Sequence, residues 1–78
     1  MEIAPRISVT SDVVHGAPVI AGTRVPVSVV IGSLAGGMTK EEVETEYGIS
    51  IEDVEAALAY AAELVATTEV TPLAGTYD

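Results

Sequence analysis

Hydrophobic positions fall into two regimes along the chain. From about residue 5 to 27 they come as short runs separated by turn residues: Ile7 and Val9, then Val13 and Val14, then His15-Gly16-Ala17-Pro18. After that, Val19-Ile20 and Arg24-Val25 flank Ala21-Gly22-Thr23. Short β-rich runs about a glycine-bearing turn predict a hairpin. Pro18 and Pro26 bracket it and limit its ladder, because proline donates no hydrogen bond. Gly22 is expected to supply a positive φ in the turn.

Beyond residue 26 the period changes to that of a helix. Val27, Val30, Ile31 and Leu34 predict a first helix over about 27–35, closed by Gly36-Gly37. Thr39 with Glu42 forms a capping-box pattern for a second helix over about 40–47, which Gly48 ends. Ser50 with Asp53 caps a third, over about 51–66, with Ile51, Val54, Leu58, Ala61 and Val65 on one stripe and Ala57 and Leu64 beside it. Val43, Tyr47, Ile49, Val54 and Ala57 then stand where a helix-turn-helix buries its contacts, with Gly48 at the turn. Glu44 occupies a position where such motifs usually carry a small residue. Residues 1–66 are read as one mainly α, homeodomain-like domain, a three-helix bundle behind a short N-terminal β hairpin. Residues 67–78, TTEVTPLAGTYD, lack periodicity and are expected to form an extended or mobile tail. Its Val70, Leu73 and Tyr77 are apolar enough to pack on a partner.

Charge changes the functional picture. A helix-turn-helix usually presents its second helix to DNA, yet here that helix offers Glu52, Asp53 and Glu55 and no base. The net charge is −9. Residues 1–40 hold all three bases, Arg6, Arg24 and Lys40, against two acids, whereas residues 41–78 hold ten acids and no base. Nucleic-acid affinity rests on cations near phosphates, so the second half repels DNA and attracts a basic protein surface. Arg24, amid apolar neighbours, is equally suited to an ion pair and to a partner contact.

Catalytic chemistry finds little support. There is one histidine, His15, and no cysteine, so neither a Cys–His pair nor a histidine metal cluster can be built within one chain. The carboxylates read as a solvated acidic surface, and the glycines lack the lysine and spacing of a phosphate loop. No enzyme, cofactor or metal site is expected, and His15-Gly16-Ala17-Pro18 reads as a turn. MEIAPRISVT has neither the basic nor the apolar region of a signal peptide, and no apolar run is long enough to span a bilayer. A cytoplasmic location without membrane contact is expected. So small and apolar a chain is expected to bury surface against a copy of itself, as a homodimer. Ser28, Gly32 and Gly36 form a small-residue stripe on the first helix, which suits close approach of another helix in a dimer, though Gly36 also reads as the helix stop; tight packing within the monomer is the preferred expectation.

The run Gly16-Ala-Pro-Val-Ile-Ala-Gly-Thr-Arg-Val-Pro-Val27, followed by Gly37-Met-Thr-Lys-Glu-Glu-Val43 and Ser50-Ile-Glu-Asp-Val-Glu-Ala-Ala-Leu-Ala-Tyr60, resembles the DUF433 family over about Arg6 to Ala62. The resemblance implies a homeodomain-like core and an antitoxin of a type II toxin–antitoxin pair, whose usual partner is a PIN-like ribonuclease toxin. It implies no catalytic residue. Many relatives place bases around the hairpin where this chain has Ala17 and Ala21. The expected mechanism is occlusion, with Arg24, Glu52, Glu55, Glu63, Val70, Leu73 and Tyr77 as residues of the toxin or dimer contact. The alternative is a helix-turn-helix DNA-binding transcriptional regulator, with Arg6, Arg24 and Lys40 on phosphates. DNA is the partner that the charge disfavours.

Overall fold

The computed structural model describes residues 1–68. Three strands, β1 (Glu2–Ala4), β2 (Ile7–Ser8) and β3 (Val19–Ile20), form an antiparallel sheet in the order β1-β2-β3. Three helices follow: α1 (Val27–Ala35), α2 (Lys40–Tyr47) and α3 (Ile51–Thr67). The architecture is the expected one, mainly helical with a small N-terminal sheet.

The sheet is more elaborate than one hairpin. Ile7 pairs with Ile20 and Ser8 with Val19, across a loop that includes a single helical turn at Val14–Gly16. The turn between Val19-Ile20 and Arg24-Val25 is present in short form: the Ile20 N–H donates to the Val25 carbonyl at 2.9 Å, and Val19 bridges to Pro26. Thr23 ties it, donating its hydroxyl to the Ile20 carbonyl at 2.8 Å and accepting from the Val25 N–H at 3.0 Å. Gly22 has the expected positive φ, 78°. Strand β1 pairs with β2 through a tight turn at Pro5-Arg6, where Arg6 holds a φ of 63°. The His15-Gly16-Ala17-Pro18 turn is left-handed at its start, with φ of 49°, 54° and 81° at Val14, His15 and Gly16.

Each helix starts and stops for local reasons. Pro26 precedes the first turn of α1, where a missing N–H costs nothing. Both capping boxes are complete. Thr39 Oγ1 accepts from the Glu42 N–H and Glu42 accepts from the Thr39 N–H; Ser50 and Asp53 do the same for α3. Gly48 ends α2 in the left-handed conformation, φ 67°, which glycine adopts without a Cβ clash.

The core is small and mostly β-branched: Ile7, Val19, Ile20, Val27, Val30, Val43, Ile49, Val54 and Ala57. It lies between the sheet and the three helices. Ser33 Oγ and Tyr47 Oη, 2.8 Å apart, join α1 to α2 at its edge. Two expectations about helix faces are corrected. The stripe on α3 is buried only at Val54 and Ala57; Leu58, Leu64 and Val65 are 36%, 54% and 68% exposed. For Leu64 and Val65 the reason is length: α3 has 17 residues, whereas α1 has nine and α2 eight, so their cover ends before α3 does; Leu58, in the middle of α3, is turned to the side of the Val54/Ala57 line. The Ser28/Gly32/Gly36 stripe is exposed rather than packed in the monomer, because α1 turns Val27 and Val30 to the core and these three lie on its other side.

Candidate functional site

The helix-turn-helix is built from α2, the turn Gly48-Ile49-Ser50 and α3. Of its expected contact residues, Val43, Ile49, Val54 and Ala57 are buried and Tyr47 is half-buried. Glu44 is half-buried, and its carbonyl accepts from the N–H groups of Gly48 and Ile49. The motif therefore closes with a glutamate at the close-approach position.

Its surface is acidic. Glu41, Glu42 and Glu46 on α2 and Glu52, Glu55 and Glu63 on α3 are exposed. Glu52, Glu55 and Glu63 project from the side of α3 opposite Val54 and Ala57, as their spacing along the helix requires. Glu63 also borders a groove of about 340 Å³ between β1 and α3, walled by Ile3, Pro5, Ala56, Ala59 and Tyr60.

Two of the three bases are engaged by this acidic surface. Arg6 Nη1 donates to Asp53 Oδ1 at 3.0 Å, tying the β1–β2 turn to the first turn of α3. Lys40 Nζ lies 3.5 Å from Glu55 Oε2, a longer contact between two exposed side chains. Arg24 is exposed, with no hydrogen bond or ion pair among the described residues. Of the three cations considered for phosphate, only Arg24 is left without a carboxylate neighbour there.

Asp53 is a structural hub rather than a free surface acid. Its side chain is 16% exposed. Oδ2 accepts from the Ser50 N–H at 3.0 Å, Oδ1 accepts from Arg6, and its own N–H donates to Ser50 Oγ at 3.1 Å. Burial pushes its carboxyl pKa up. The hydrogen bonds from the Ser50 backbone, from Arg6 and from the Ser50 side chain, with the charge of Arg6, outweigh burial and hold it below the ordinary value.

The expected contact residues are thus divided. Glu52, Glu55 and Glu63 share one face of α3, Arg24 stands apart on the turn after β3, and Val70, Leu73 and Tyr77 lie outside the described residues. Neither the Arg6–Asp53 pair nor Tyr60, which borders two grooves, stands out in the sequence pattern. A lone aromatic in an alanine-rich helix was the available signal for Tyr60. Nothing local signals a pair 47 residues apart. Among the described residues no helix is long and apolar enough to cross a membrane.

Comparison with known proteins places this architecture. No curated protein matches the chain. Among solved structures, the crystal structure of Rv2018 from Mycobacterium tuberculosis is similar, with a TM-score of 0.62 and 31% identity over 67% of this chain. The match covers 24% of the Rv2018 chain, so the matching part of this chain spans about a quarter of that chain's length. A family model described as a protein of unknown function, DUF433, matches residues 7–61, which takes in the sheet from β2 onward, α1, α2 and most of α3. On that match the chain belongs to the DUF433 family.

Proposed function

We propose that this protein is the antitoxin-like component of a type II toxin–antitoxin pair, acting in the cytoplasm without catalytic activity of its own. It neutralises a PIN-like ribonuclease by docking on the basic surface that the enzyme uses for RNA and blocking substrate access. The observation that carries this reading is the segregation of charge. Six exposed glutamates cover α2 and the outer side of α3, while the one base on those helices, Lys40, is already beside Glu55. Such a face resembles a phosphate backbone in sign. It steers toward a basic surface and is repelled by DNA.

The test is co-expression with the product of the adjacent reading frame, followed by co-purification and an RNA-cleavage assay with and without this chain. A complex that suppresses cleavage supports the reading. Changing Glu52, Glu55 and Glu63 together to Gln should then weaken the complex at low salt. If the triple variant binds as tightly as the wild type, electrostatic docking is wrong. A neighbour that neither binds nor cleaves RNA removes the antitoxin reading, and a shift of upstream DNA at low salt replaces it with the regulator.

A further inference from the structure

The groove between β1 and α3 combines three kinds of surface. Its walls are apolar, with Ile3 and Pro5 on the strand side and Ala56 and Ala59 on the helix side of a space of about 340 Å³. Alanine keeps α3 helical while leaving open the room that a longer side chain at either position would fill. Tyr60 adds a half-buried aromatic ring, and Glu63 adds the one charge in the lining. Tyr60 and Glu63 stand three residues apart on α3, so they are neighbours on one side of the helix. Glu63 is exposed and makes no hydrogen bond or ion pair among the described residues. The adjoining base does not serve it: Arg6, next to Pro5, is held by Asp53 at 3.0 Å.

We infer that this groove is the seat for an arginine side chain of a partner protein. The lining selects that occupant. An apolar side chain would use the walls but would cover the Glu63 carboxylate without pairing it, which costs free energy. An anion is repelled by the same carboxylate. Lysine pairs with it as a compact, strongly hydrated charge and gains less from the ring. Arginine matches every surface present. Its methylene stem packs along Ile3, Pro5 and the two alanines, its flat guanidinium lies over the Tyr60 ring, and its N–H groups donate to Glu63. Glu52 and Glu55, exposed on the same helix, draw a cation toward this side of the molecule. The inference deepens the proposed docking and rests on it only for the identity of the partner, a basic ribonuclease surface that supplies the arginine. The other glutamates attract at a distance, whereas the groove gives one side chain a fixed place and so sets the register of the complex.

The test uses the full chain, labelled for amide NMR, and a short alanine peptide with one central arginine, blocked at both ends. Titration at low salt should shift the amide signals of Ile3, Ala59, Tyr60 and Glu63 along one saturable curve. The same peptide with citrulline, the uncharged isostere, or with norleucine should bind at least about threefold more weakly. Glu63→Gln, which removes the charge, and Ala59→Leu, which fills the groove, should each weaken the arginine peptide by about the same factor. Both positions are exposed, so the helical circular dichroism should be unchanged. A norleucine peptide that binds as well as the arginine one overturns the inference. So do shifts that follow the glutamates of α2 instead of the groove, an absence of saturable shifts, or binding that both variants leave intact. Ribonuclease suppression is read separately. If it occurs while the peptide fails, the docking stands and the arginine seat falls. If the peptide binds but the neighbouring gene product neither binds nor cleaves RNA, the seat stands and the antitoxin reading falls.

Discussion

Replacing Asp53 by Ala should cost this protein about 2 kcal/mol, assembled from about 1 for the lost hydrogen bond from the Ser50 N–H, about 0.5 for a negative charge in the first turn of α3, and about 0.5 for the ion pair, while the Ser50 cap itself remains. The Ser50 N–H loses its acceptor, but Ser50 is only half-buried and water partly replaces the bond. The Arg6 pair is discounted because Arg6 is 53% exposed. Asp53→Asn keeps an acceptor for the Ser50 N–H and loses the charge, so it should cost about 1 kcal/mol. Against a total stability of about 4–12 kcal/mol for a chain of this size, both changes are measurable. The assay is urea unfolding followed by circular dichroism, with Arg6→Ala and the double variant completing a thermodynamic cycle. The Asp53 carboxyl lies below its ordinary value in the folded state. The advantage of wild type over Asp53→Asn should therefore be fully present above the unfolded aspartate pKa of about 4, and fade as pH falls through the lower folded value. An Asp53→Ala variant within about 0.5 kcal/mol of wild type would refute the hub role, because that is the scatter of neutral surface changes. An advantage over Asp53→Asn that persists unchanged down to about pH 2 would refute the ionic part.

Two further substitutions test the frame around that hub. Arg6 holds a φ of 63°, which costs a residue with a Cβ about 1–2 kcal/mol, so Arg6→Gly should be about 1 kcal/mol more stable than Arg6→Ala although both lose the pair; equal midpoints in urea would show that the turn is not strained. Ile20 is fully buried, and Ile20→Ala should lose about 3 kcal/mol, a large share of the total stability. Thermal melts read that directly, and a loss under about 1 kcal/mol would mean that β3 is not part of the cooperative core.

The helices and their ends were legible in the sequence because their signals are local. Thr39 with Glu42 and Ser50 with Asp53 lie three residues apart, and Gly48 needs only its own backbone freedom to end α2. The 3.6-residue spacing of Val27, Val30, Ile31 and Leu34 names one side of α1 without reference to anything else. The family motif was legible as well, and so was the division between a neutral first half and an acidic second half. The tertiary structure alone decided what each face meets. Strand β1 shows no alternation of its own and exists because β2 offers it an edge. Arg6 reaches Asp53 across 47 residues because the β1–β2 turn packs beside the start of α3. Periodicity marked Leu64 and Val65 as core without registering that α1 and α2 are too short to cover them. It likewise could not say that the small residues of α1 face outward. Local sequence fixes backbone conformation through contacts a few residues apart, whereas burial depends on neighbours from distant segments, and only the assembled chain brings those together.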